Sequence, residues 1–379
     1  MPIDLPADTD ALLHLVLAGG APEPRHGLLT AHGSAAAALR AGPNAWRAAG
    51  CSGEQRTRLL RPDPDALSRG RQWLAQPGRH LLSIDADDYP DLLRSVARAP
   101  LALFVHGDPT ALWHPGVAVV GSRTPSPTGA ELAAEFADAF ARSGLAVFSG
   151  LAAGIDGRAH HAALAVPGGR TVAVVGTGPD RVFPPRHDRL QAQIAERGAV
   201  VSEYPPGTEA RAGQFPARNR IVAGLSLGTV VIEAALRSGA LITARLAAES
   251  GREVFALPGS VRNPRARGCH RLIRDGVRLV EHPDEIIEPL GAVAARLGQA
   301  LRTRLNAPTE QARPTPPGST FRSDPDYQRL WQALDENPIP MDSLVLRSGL
   351  TAARLSAMLQ LMELDGKVVA VHGCYCRKP

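Results

Sequence analysis

Short, continuously apolar runs alternate with helical patterns through the middle of the chain. Residues 117–120 (Val-Ala-Val-Val) precede a stretch in which Leu132, Phe136 and Phe140 recur every four residues. Further apolar runs at 145–148, 172–175, 199–201, 229–232 and 254–257 follow, separated mainly by segments of helical pattern. Runs this short and this apolar are strands buried on both faces, as in a parallel sheet. The alternation predicts an α/β fold over residues 78–290, a doubly wound, Rossmann-like parallel sheet.

The flanks read differently. Residues 1–75 are rich in Ala and Leu and broken by Gly19-Gly20-Ala21-Pro22 and Gly42-Pro43, which predicts a small domain of short helices. Residues 305–326 hold Pro308, Pro314, Pro316, Pro317 and Pro325 among Thr, Ser and Gly, and are expected to be an extended or disordered linker. Residues 327–379 suggest three helices, 327–337, 341–347 and 352–365, with Leu355, Met358, Leu359 and Met362 on one face of the third. Gly366 ends that helix, and 367–375 alternate like a β-hairpin. Helix–turn–helix followed by a hairpin is a winged-helix pattern.

Composition adds a charge bias. The chain has 379 residues and a net charge of +5, and its only lysines are Lys367 and Lys378. Between Thr208 and Arg278 stand twelve arginines and five acidic residues, so the basic excess is concentrated there. Such a run fits a solvated face, but here it coincides with Gly-rich loops at the binding edge, which favours a polyanion. The cysteines, Cys51, Cys269, Cys374 and Cys376, form no CxxC, so reduced thiols in a cytoplasmic protein are expected. No apolar run approaches the ~20 residues of a membrane span.

Ligands of a doubly wound sheet bind at the carboxyl ends of its strands. The loop after 117–120 is Gly121-Ser122-Arg123: a glycine for close approach, a hydroxyl and a guanidinium fork suited to phosphate. The next loop, Ser149-Gly150-Leu151-Ala152-Ala153-Gly154-Ile155-Asp156, runs into a helix and resembles an N–H nest for an anion, with Asp156 expected as the helix N-cap. Phe183, in a Pro-rich loop, suits base stacking or packing on its own loop. Phe215-Pro216-Ala217-Arg218-Asn219-Arg220 opens a short helix, and Ser238-Gly239 through Thr243 opens another. A P-loop, a GxGxxG fingerprint and metal-ligand spacing are all missing, so no catalytic residue, metal or cofactor is expected.

These motifs, in order, resemble the DNA-processing family DprA/Smf of bacteria, as do Pro258-Gly259 and Gly268-Cys269-His270-Arg271-Leu272-Ile273. The resemblance covers roughly 89–290. More loosely, it makes the first block similar to a SAM-like domain and the last to that family's winged helix. It implies single-stranded DNA binding, homodimers, and loading of the RecA recombinase in natural transformation. It implies phosphate contacts from Ser122 and Arg123 beside the Gly150–Gly154 nest, with Arg218, Asn219 and Arg220 lining the same pocket. Gly121, Ser149, Asp156, Ser238, Gly239 and Thr243 complete the expected DNA-binding set, and Phe183 is expected against a base. The alternative is a nucleoside-monophosphate phosphoribohydrolase of the cytokinin-activating type. That group's catalytic Glu follows a PGGxGTxxE loop, whereas here Glu233 comes one residue late after Gly228-Thr229 and no Pro-Gly-Gly precedes it.

Overall fold

The computed structural model describes residues 5–306, 325–335 and 339–350, together with 355, 358, 359, 362, 368–371 and 374–377. It divides into two compact units, Met1–Asn306 and Ala307–Pro379.

The first unit opens with six short helices, α1 (Ala7–Leu17), α2 (Glu23–His32), α3 (Ala35–Arg40), α4 (Gly42–Ala48), α5 (Gly53–Leu60) and α6 (Pro64–Leu74). Local chemistry sets their starts. Ser52 and Gln55 form a reciprocal capping box on α5, and Asp63 caps α6 ahead of Pro64. Arg25 is buried at their centre, where its guanidinium donates to the carbonyls of Leu15, Val16 and Gly20. One side chain of α2 thereby ties down the last turn of α1 and the loop that follows it.

The rest of the unit is a nine-stranded sheet. In chain order its elements are β1 (Arg79–Ser83), α7 (Asp91–Arg94), β2 (Ala102–Gly107), β3 (Gly116–Val120), α8 (Pro127–Arg142), β4 (Ala146–Ser149), α9 (Ile155–Ala165), β5 (Thr171–Val174), α10 (Asp188–Arg197), β6 (Ala199–Ser202), α11 (Gln214–Leu225), β7 (Gly228–Val231), α12 (Gly239–Glu249), β8 (Glu253–Ala256), α13 (Arg267–Arg274), β9 (Arg278–Leu279) and α14 (Asp284–Asn306). The strand order is β1-β2-β6-β5-β4-β3-β7-β8-β9. Pairing is parallel from β6 to β9, and β1 and β2 add an antiparallel edge.

The core explains the apolar runs. In β3, Val117 and Val119 pack with Phe136 and Phe140 of α8 on one face, while Ala118 and Val120 join Val172 and Val231 on the other. Helices cover both faces, so both strand faces are apolar. The chain winds β3 to β6 toward one edge and β7 to β9 toward the other, so β3 and β7 are neighbours at a topological switch point. Loops diverge there and leave a crevice. Three strands escape the sequence pattern: β1 and β2, and the two-residue β9. β1 is an edge strand whose side chains are mostly half-buried, and β9 is too short to carry a period.

The second unit contains α15 (Pro325–Ala333), β10 (Ile339–Pro340), α16 (Met341–Ser348), β11 (Val368–Val371) and β12 (Cys374–Arg377). The strands form a small antiparallel sheet, β10-β12-β11. Leu355, Met358, Leu359 and Met362 are buried with Leu330 and Leu344, as their four-residue spacing predicts. The rest of the expected third helix lies outside the described residues. So does most of the Pro-rich segment, 307–324; helix α14 includes its first two positions and α15 begins at Pro325.

Candidate nucleic-acid interface

The crevice at the switch point is a cleft of about 580 Å³. One wall is the loop after β3, with Gly121, Ser122 and Arg123. A second is the entry to α12, with Arg237, Ser238, Gly239 and Thr243. The third is α11, with Phe215, Arg218, Asn219 and Val222. These α11 positions fall at i, i+3, i+4 and i+7, a single helical face.

Arg218 dominates the electrostatics. Its side chain is 4 % exposed, and its Nε finds no acceptor. No described carboxylate lies within ion-pair distance of its guanidinium. Burial pulls its pKa down to about 10, against the attraction of Asp156, so it stays charged at neutral pH. Arg123 lies over the Phe215 ring at 5.9 Å, and Arg237 is exposed at the rim. Three guanidiniums thus surround one cleft. Asn219 Nδ2 donates to Gly239 O at 3.3 Å and ties α11 to α12, whose N-cap is the Ser238 hydroxyl.

The loop after β4 works differently from a free anion nest. Asp156 is not the helix cap, since α9 begins at Ile155 and Gly154 occupies the cap position. The Asp156 carboxylate instead accepts the N–H groups of Gly150 (3.1 Å) and Ala152 (3.2 Å), so these donors are already used. Burial pushes the Asp156 carboxyl upward, while Arg218 and the two N–H groups pull it down. Gly150 is where the Arg218 guanidinium packs against the backbone, and a Cβ there would overlap it. Gly154 adopts φ 86°, ψ −124° and lies against the Ser122 and Arg123 backbone, so it shapes the loop without facing the cleft. Ser149 is fully buried and donates to Val119 O at 2.6 Å, which places it under the cleft as support.

Arg220 departs from the sequence expectation. It lies outside the cleft and forms a two-pronged ion pair with Glu203 (2.7 and 2.5 Å), also donating to Arg98 O. Two residues along a helix is about 200°, so Arg218 and Arg220 cannot face the same way. We expect Arg220→Ala to lower stability by about 1–3 kcal/mol through the unpaired, half-buried Glu203, with little change in the salt dependence of DNA binding. A thermal melt alongside an oligonucleotide titration distinguishes this from a phosphate contact.

Phe183 is 42 % exposed and is not on the cleft wall, but its ring lies 5.1 Å from that of Phe215, which is. Phe215 and Arg237 are cleft residues that the expected set lacked. Phe215 was findable from its i, i+3 relation to Arg218; Arg237 directly precedes the Ser238-Gly239 pair. Glu233, the acid of the alternative hydrolase reading, is buried and accepts Ser126 N–H and Asn263 Nδ2, both at 2.8 Å. It clamps the loop after β8 to the start of α8. Among the described residues no group of His, Cys, Asp or Glu could hold a metal, and no helix is long and apolar enough to cross a membrane.

Fold and cleft together define a class: a Rossmann-like α/β protein with an arginine-lined cleft at its switch point, and a winged-helix unit appended. The chain belongs to the DprA/Smf family of DNA-processing proteins. The profile described as DNA recombination-mediator protein A matches residues 80–291, and that of the DprA winged helix domain matches 310–373. Protein Smf of Escherichia coli K12 is 42 % identical over 306 residues, 80 % of this chain and 79 % of that protein. The DNA processing protein DprA of Streptococcus pneumoniae R6 is 46 % identical over 205 residues, 54 % of this chain and 72 % of that one. A crystal structure of Streptococcus pneumoniae DprA superposes with a TM-score of 0.65 at 37 % identity, covering 73 % of this chain and 95 % of that one. A Helicobacter pylori DprA structure, described in terms of its single-stranded DNA binding mode, has a TM-score of 0.50 at 28 % identity and covers 54 % and 94 %.

Proposed function

We propose that this protein binds single-stranded DNA in the switch-point cleft and passes the strand to the RecA recombinase during transformation and homologous recombination. It acts as a cytoplasmic homodimer, without enzymatic turnover. The observation that carries the reading is Arg218: a buried guanidinium whose Nε has no acceptor and which no described carboxylate meets within ion-pair distance, so that a phosphate would supply both charge and acceptors. Arg123, Arg237, Ser122 and Asn219 stand around the same space to take neighbouring phosphates and sugars. Contacts of this kind position a strand without reading its sequence. The Helicobacter pylori relative, described as binding single-stranded DNA, and the recombination-mediator family support the reading.

Binding is expected to tolerate any sequence, to favour single strands over duplex, and to weaken by roughly 0.7 log units per log unit of salt for each neutralised phosphate. A gel shift with single and double strands and no nucleotide tests this; equal affinity for duplex would argue against the cleft. Addition of RecA to the bound complex tests the handover, read as faster filament formation on the strand.

In the same reading the chain comprises a helical SAM-like domain (1–75), a DNA-binding domain (78–290), a linker (305–326) and a winged helix (327–379). A chain ending at Asn306, the limit of the first unit, is expected to melt cooperatively and keep most of its single-strand affinity. Loss of the cooperative melt would make the winged helix integral to the fold.

A further inference from the structure

Beside the cleft, two loops at the carboxyl edge form one surface. The loop after β7 carries Leu236 and Arg237, and the loop after β8 carries Val261, Arg262 and Arg265, ahead of Arg267 at the start of α13. They are joined at several points. Gly268 N–H donates to Ala234 O at 2.7 Å, and a Cβ on Gly268 would press on the carbonyls of both Ala234 and Ala235. Asn263 reaches Glu233, and the same Asn263 closes the second loop on itself through Ser260 O and the N–H groups of Arg265 and Ala266. Neither loop is free to swing independently of the other.

What this fixed surface presents is unusual. Val261 is 80 % exposed and Leu236 50 % exposed, two of the few large apolar side chains left open to water. Around them, the guanidiniums of Arg237, Arg262, Arg265 and Arg267 make no hydrogen bond or ion pair with the described residues. The acid nearest in the chain, Glu233, is buried and committed to Ser126 and Asn263. Arg237 already lines the cleft, so the surface continues directly from it. Apolar side chains between unneutralised arginines match a single nucleic-acid strand, whose unpaired bases need apolar contact and whose phosphates need cations. A duplex hides its bases and would leave Val261 and Leu236 in water.

We infer that the loops after β7 and β8 form a second subsite for single-stranded DNA, a ridge that receives the nucleotides leaving the switch-point cleft. Val261 and Leu236 pack against bases, and Arg262, Arg265 and Arg267 take phosphates. The inference rests on the proposed binding of the strand in the cleft, and it adds a direction: out of the cleft past Arg237 and along the start of α13.

The test compares two fluorescent oligothymidylates on the full chain, one of roughly four nucleotides, which fills the cleft alone, and one of roughly twelve, which reaches the ridge. Variants are Val261→Asp and the double substitution Arg262→Ala/Arg265→Ala. Val261 and Arg262 are exposed and Arg265 is half-buried, and a thermal melt checks that folding is unchanged. For the double variant, the longer oligonucleotide is expected to bind about tenfold more weakly at moderate salt, with its salt slope flattened by roughly 1.4. Val261→Asp is expected to weaken the longer oligonucleotide several-fold. Affinity for the shorter one is expected to be unchanged in both. Equal losses for the two lengths would mean that the loops act only through the cleft, and no loss for either would mean that DNA does not reach them; each overturns the ridge while leaving the cleft standing. A fall in molar mass by light scattering, with unchanged affinity for the longer strand, would assign the surface to self-association instead. Failure of the parent protein to bind either oligonucleotide would overturn the cleft itself and the ridge with it.

Discussion

Replacing Arg218 with Ala is expected to weaken single-strand binding by about 2–4 kcal/mol, roughly thirty- to a thousand-fold. Arg218 is buried whereas Arg123 and Arg237 are exposed, so its attraction to a phosphate is screened less than theirs. The salt slope is expected to flatten by about 0.7, the amount for one phosphate, because counterion release counts charges and not their depth. Affinity and slope therefore part company: the loss at every salt concentration is far larger than the change in slope accounts for. Stability of the DNA-free protein is expected to change little, since removal of a buried guanidinium with an unsatisfied Nε is offset by the loss of its attraction for the buried Asp156. Titration of a fluorescent oligonucleotide at several salt concentrations, with a melt of the free variant, measures all three quantities. A correctly folded Arg218→Ala protein that binds like the parent would show that the strand lies elsewhere.

The second large effect is structural. Gly154→Ala is expected to destabilise the first unit by about 3 kcal/mol or more, lowering its melting temperature by roughly 6 °C or more. At φ 86°, ψ −124° the backbone is in a region open to glycine alone, and a methyl group would overlap the Ser122 carbonyl and the Arg123 backbone. Those neighbours cannot yield cheaply. Ser122 N–H is held by Glu233 O at 2.7 Å, and Ser122 O accepts Ile155 N–H at 3.1 Å. Relief of the clash would shift the loop that carries Arg123, so DNA affinity is expected to fall with stability. A Gly154→Ala protein with an unchanged melt would mean that the two loops are not packed this tightly.

Much of this molecule was legible in its sequence. Strands covered by helices on both faces have to be apolar throughout, which is why β3 to β8 stood out as short unbroken runs. Capping serines, prolines at first helical positions and the four-residue spacing of Leu355, Met358, Leu359 and Met362 are likewise local signals with local causes. Because a doubly wound sheet binds at its carboxyl edge, the loops holding Ser122, Arg123, Arg218 and Ser238 could be named together before their distances were known.

The tertiary structure alone decided what each of those groups does. Arg218 and Arg220 are equal in the sequence, yet α11 turns one into the cleft and gives the other to Glu203, a partner from a different loop. Asp156 has the residue type and setting of a helix cap, but the curl of its loop presents it with the Gly150 and Ala152 N–H groups, so the nest is filled from within. Glu233 lies near the position of a catalytic acid in a related motif and serves as a clamp because Ser126 and Asn263 meet it there. A sequence fixes residue type and helical phase, whereas the charge and acceptors that reach a given side chain come from segments as many as 160 residues away, and only the packing of the sheet brings them together.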